Sequence, residues 1–289
     1  MSAVSESVSE RMTLGMLSEQ YGFEIVPEFA ANVTITSICD SLDSVSPGSL
    51  FICGSRVSEL GHAAQAGAYA ALLPRSFRHQ RPDADIPLLF GELDDHVLGS
   101  MAVTLAGSPT NALAMFAVSG TDDDEVNANA TQLADFLHML GNPVAKISAA
   151  GSTSMTRALN LTYPLGVLDM QRTLAVCAED GVAAVIIAMN PATLTNHALE
   201  SVNVDVLGIE HVAPGEDVSA LKTRYAFISD RDLVVTTTSR ESDELALESP
   251  VGYDPVRAGH MSLAISMVLA AGVRKNNVRS ALRVANNLS

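Results

Sequence analysis

The sequence predicts an α/β chain in two parts: a small N-terminal α/β domain, residues 1–106, then a mostly parallel, helix-flanked sheet domain, residues 107–289. Three observations carry this. Apolar runs alternate with helical patterns along the second part, as in a sheet whose parallel strands are joined by helices. Those runs are continuous instead of alternating in polarity, as strands buried on both faces require. The 289 residues, 47% of them apolar, exceed what a single small module needs for its core.

In the first part, residues 12–21 have a short helical apolar pattern, followed by the extended run Val33-Thr34-Ile35-Thr36. The turn Ser46-Pro47-Gly48 opens a strand at Leu50-Phe51-Ile52-Cys53. Residues 59–66 are Ala-rich and helical, Gly67 stops them, and Ala70-Ala71-Leu72-Leu73 forms a buried strand ending at Pro74. A break at Ala106-Gly107-Ser108-Pro109-Thr110 separates the parts. Strands are then expected at 112–118, 144–148, 183–189, 204–209 and 233–237, with helices at 126–140, 168–180 and 217–225. Ser- and Glu-rich residues 1–11 lack a basic start and an apolar core, so they read as a lead-in and not a signal peptide.

Composition excludes several functions. A net charge of −16 repels nucleic acid and anionic membranes and favours basic partners or small ligands. With no Trp and only 4% aromatic residues, base-stacking platforms are lacking. Cys39, Cys53 and Cys177 stand in no metal-ligand spacing and suit buried thiols of a reduced cytoplasmic protein. No apolar stretch approaches the roughly 20 residues of a membrane span, so no membrane insertion is expected.

The first expected strand of the second part runs into Ser119-Gly120-Thr121-Asp122-Asp123-Asp124-Glu125, which has the layout of a phosphate-binding loop and makes the domain P-loop-like. Such a loop uses glycine to bring backbone N–H groups onto phosphate, lysine to neutralise it and a Ser/Thr hydroxyl on magnesium. Asp123, Asp124 and Glu125 supply none of these. A carboxylate about 4 Å from a phosphate oxygen costs on the order of 4 kcal/mol at an effective dielectric near 20. The acids are well explained as helix caps alone, through Thr121 with Asp124 or Asp122 with Glu125 as a capping box. A divalent-cation site fits less well, because calcium-loop spacing is absent.

Several segments together resemble the Mur ligase family, and most of all its members that attach the third residue of the peptidoglycan stem peptide. Residues Ile35 to Leu42 followed by Val45 to Ile52 are similar to the family's Asp-Ser-Arg and Pro-Gly-Asp-Leu-Phe motifs, used for the uridine nucleotide. Asp40 and Ser41 are kept; Leu42 replaces the arginine. Gly61-His62, Gly67-Ala68 and Gly107-Ser108-Pro109 resemble the next helix and the linker. Asn160-Leu161-Thr162-Tyr163-Pro164, with Leu168 to Arg172, resembles the motifs that open a substrate-side segment. The resemblance therefore implies a UDP-precursor site at Asp40, Ser41 and Thr162.

At the catalytic positions the resemblance implies loss. The family loop reads Gly-Thr-Asn-Gly-Lys-Thr/Ser; Gly120 and Thr121 remain, and Asp124 stands at the lysine. Met189 lies where a magnesium-binding glutamate follows the next strand, and as a core methionine it suits no hard cation. Glu210-His211 resembles an Asp-His pair, and Lys222 falls where active members carry a carbamylated lysine, though it also reads as a solvated helix lysine. His62, His79, His96, His138, His197 and His260 have no partner at a convincing spacing and are expected to be structural or exposed. Gly259 to Val273 resembles the helix closing the central domain, and no third domain is expected after it.

The expectation is a cytoplasmic pseudoenzyme of peptidoglycan precursor synthesis, without catalytic residues or metal site and needing neither the ATP nor the magnesium of active members. It would act by binding a cell-wall synthesis protein or a UDP-linked muramyl peptide. The alternative is an ATP-dependent acid–amino-acid ligase completed by a partner chain.

Overall fold

The computed structural model describes residues 12–80, 82–210, 218–227 and 232–288. The chain divides into two compact units, Met1–Ser108 and Pro109–Ser289. The chain leaves the first unit through Gly107 and Ser108, whose φ values of 72° and 54° are left-handed.

The first unit holds strands β1 (Met12–Thr13), β2 (Glu24–Val26), β3 (Thr34–Ile35), β4 (Ser37–Cys39), β5 (Ser49–Ile52), β6 (Ala68–Leu73) and β7 (Leu88–Phe90), and helices α1 (Leu14–Tyr21), α2 (Leu60–Ala66) and α3 (Asp95–Leu105). The main sheet runs β2-β7-β6-β5-β4, parallel except for β2, while β1 pairs with β3. Gly67, with φ 109°, ends α2 in the left-handed geometry that favours glycine. Helix α3, capped by Asp94 Oδ1 on the Val97 N–H at 2.8 Å, and the short strands β2 and β7 were not anticipated.

The second unit holds β8 (Ala114–Ser119), α4 (Asp123–Met139), β9 (Val144–Ile147), β10 (Ser152–Ser154), β11 (Arg157–Leu159), α5 (Val167–Glu179), β12 (Ala184–Met189), β13 (Val206–Ile209), α6 (Val218–Tyr225), β14 (Val234–Thr236), α7 (Arg240–Leu247), α8 (Pro255–Ala270) and α9 (Lys275–Leu288). Its sheet runs β11-β10-β9-β12-β8-β13-β14. The five strands from β9 to β14 in that order are parallel, and the β10–β11 hairpin adds an antiparallel edge.

Both faces of this sheet are covered. Phe116 and Val118 of β8, with Ile186 and Ala188 of β12, enter one core with Leu133, Phe136 and Leu137 of α4 and Met261 and Ile265 of α8. Met115, Ala117, Val185 and Ile187 point the other way, into a core with Met170, Leu174 and Cys177 of α5 and Leu221 of α6. The strand period of two divides each apolar run between two cores, which is why the runs are continuous. Helix α7 opens on a capping box formed by Ser239 and Ser242. Its acids pair with α9 through Lys275–Glu241 at 2.5 Å and Arg279–Glu248 at 3.7 Å.

Candidate functional site

Strand β8 lies inside the parallel sheet, with β12 and β9 on one side and β13 and β14 on the other. The loop leaving its carboxyl end opens where ligands bind in open α/β sheets. In this loop Asp122 is the N-cap of α4: its Oδ1 accepts the N–H groups of Asp124 and Glu125, both at 3.0 Å. Asp123 and Asp124 point into solvent at the positive end of the helix. This decides between the two boxes allowed by the sequence, because Asp122 is the cap and Thr121 is not. The box itself is not closed, since the Glu125 carboxylate turns away to His260.

Glu125 Oε2 lies 2.5 Å from His260 Nε2, and the His260 side chain is only 14% exposed. His260 was expected to lack a carboxylate; the partner comes from α4, and the pair ties the start of α4 to α8. A further carboxylate leans on the loop. A Cβ at Gly120 would stand 2.7 Å from Glu210 Oε2 and 3.0 Å from Val126 Cγ2, so the backbone at Gly120 packs closely against an acid. The Glu210 N–H also bonds to the Ser119 carbonyl at 3.0 Å. Among the described residues, no three His, Cys, Asp or Glu side chains gather as metal ligands would.

Beside the loop, the carboxyl ends of β9 and β12 are joined by neutral groups. Asn127 Oδ1 accepts from Ser148 Oγ at 2.7 Å and from Asn190 Nδ2 at 3.2 Å. Asn190 Oδ1 accepts the Thr193 N–H and Thr193 Oγ1 the Ala149 N–H, both at 2.9 Å. Ser148, Asn190 and Thr193 are buried, and each has a partner, as buried polar groups require. Met189 is buried at the end of β12, its carbonyl accepting from the Tyr225 hydroxyl at 3.2 Å. Lys222 is half-buried on α6, and His211 lies outside the described residues.

In the first unit, Asp40 and Ser41 are exposed just past the carboxyl end of β4. Arg56 reaches them from beyond β5. Its Nη2 donates to the carbonyls of Asp40 at 2.6 Å and Ile52 at 2.9 Å, and its guanidinium sits 5.4 Å from the Phe51 ring centroid. A guanidinium thus stands against the segment that carries Leu42. Sequence reasoning missed it; an arginine soon after a strand that is parallel to β4 was the available signal. Thr162, in the second unit, is exposed in a depression of about 530 Å³ that Asp169 and Arg172 also line.

No family model matches the sequence, and no curated protein matches it. Solved structures do. MurF from Acinetobacter baumannii aligns with a TM-score of 0.54 and 14% identity, over 96% of this chain and 68% of that one. A UDP-N-acetylmuramoyl-L-alanyl-D-glutamate–2,6-diaminopimelate ligase aligns with a TM-score of 0.59 and 13% identity, over 96% and 67%. The fold is Mur-ligase-like. This chain spans about two thirds of the length of those Mur ligases. No described helix is long and apolar enough to cross a membrane.

Proposed function

We propose that the chain is a Mur-ligase-like pseudoenzyme of peptidoglycan precursor synthesis, working in the cytoplasm by binding a partner or a UDP-linked muramyl peptide. One observation carries the reading: the Asp122 carboxylate takes the two N–H groups that a phosphate would need, those of Asp124 and Glu125. Each further carboxylate adds repulsion on the order of 4 kcal/mol at about 4 Å and an effective dielectric near 20. Asp123, Asp124 and Glu210 belong to this loop or its wall, while the Glu125 carboxylate is engaged by His260. The residues present therefore do not fit magnesium-ATP, and no phosphoryl-transfer step is assigned to them. In the first unit, the exposed Asp40 and Ser41 are the groups offered to a precursor.

Calorimetric titration with magnesium-ATP, and separately with a UDP-linked muramyl peptide, tests the proposal. No saturable heat is expected with the first. A thermal midpoint that rises with ATP concentration, as ligand linkage requires, would overturn it.

A further inference from the structure

A second cavity lies away from the phosphate-like loop, between the last turns of α4, the start of β9 and the β10–β11 hairpin, with a volume of about 770 Å³. This size suits a small-molecule site. Ala134, Pro143 and Met155 give it apolar surface, and Thr131, Thr153 and Thr156 bring hydroxyls. Its charged lining is unequal in what is already satisfied. Asp180 accepts from Ser154 Oγ at 2.6 Å and is paired with Arg157, so that carboxylate is neutralised where it stands.

Lys146 is different. It is half-buried on β9, and its Nζ makes one hydrogen bond, to Thr131 Oγ1 at 2.9 Å, although an ammonium has three donors. Burial pushes its pKa below the usual lysine value, with the charge of Asp135 acting in the opposite direction. Asp135 and His138 stand exposed at the rim on α4, where solvent screens them. The cavity therefore presents a partly dehydrated cation with unused donors, flanked by an apolar wall and hydroxyls.

We propose that this cavity binds a small organic carboxylate with a short apolar body, its anionic end held by Lys146 and its body against Ala134, Pro143 and Met155. A charge-assisted hydrogen bond in a half-dehydrated site is stronger than a neutral one, which makes Lys146 the anchor. The site is independent of the function proposed above, and its failure leaves that reading intact.

The test is an amide NMR titration of the full chain with acetate, butyrate and hexanoate, with butylamine as the cationic counterpart of butyrate. Saturable shifts are expected at Val144, Lys146, Ser154 and Arg157 with at least one carboxylate and none with butylamine. Lys146→Met should weaken binding roughly tenfold or more, the scale of one bond to a charged group, while Lys146→Arg should retain most of it. The inference is overturned if no carboxylate gives saturable shifts, if butylamine binds equally well, or if Lys146→Met binds like the wild type. Should Lys146→Met fail to fold, the butyrate–butylamine comparison on the wild type still decides.

Discussion

Asp122 and its two acidic neighbours look alike in the sequence but differ in what they do. Asp122 accepts two backbone N–H groups at the start of α4, whereas Asp124 offers only its charge to the helix dipole. Asp122→Ala should therefore lower stability by about 0.5–2 kcal/mol, and Asp124→Ala by no more than about 0.3–1 kcal/mol. Urea denaturation midpoints of the two variants check this; equal losses would mean that Asp122 is not the cap that matters. Glu125 belongs to neither class, because its carboxylate is engaged by His260.

Elements are held mainly by burial, and α4 shows it. Phe136 is fully buried between α4, the sheet and α8, in the core that also holds Ile186 and Ile265. Phe136→Ala should cost about 3–5 kcal/mol, through lost transfer energy and an unfilled cavity. Chemical denaturation measures it, and a loss near that of a surface substitution would contradict the packing. The hairpin β10–β11 is fastened differently, through Asp180 at the C-cap of α5. The Ser154 hydrogen bond, then Arg157, hold the Asp180 carboxyl below its ordinary pKa. A lowered folded-state pKa gives stability that is present above the ordinary carboxylate range and lost as pH falls through the lowered value. The stability difference between wild type and Asp180→Asn should accordingly shrink on acidification below about pH 4. Thermal midpoints of both proteins across that range are the measurement, and a constant difference would exclude the linkage.

At the scale of the whole molecule, a net charge of −16 dominates encounters with partners. Under the function proposed, a protein partner should present a basic face, and its capture should weaken as salt rises, because exposed charges are screened over about 10 Å at 0.1 M. A pull-down from native cytosol at low and high salt tests this. If no partner is recovered at low salt while the UDP-linked precursor binds measurably, the protein acts as a precursor binder and not as a scaffold.

The main strands and helices of the second unit were legible because burial leaves a local trace. The apolar runs at 112–118 and 183–189 became β8 and β12 to within two residues, and the Asp-rich start of α4 announced a cap. The short strands β2 and β7 carried too few residues for a period to show, and α3 and α9 were missed outright. The likeness in fold was legible too, from motifs spaced along the chain in one order. What the site does with its charges was not. Glu125 meets His260 across 135 residues, Arg56 reaches Asp40 from the turn after β5, and Asn127 joins Ser148 to Asn190. A residue's own periodicity reports which way it faces, but the partner it meets there is set by how the elements pack. Only the tertiary structure brings those groups within hydrogen-bonding distance.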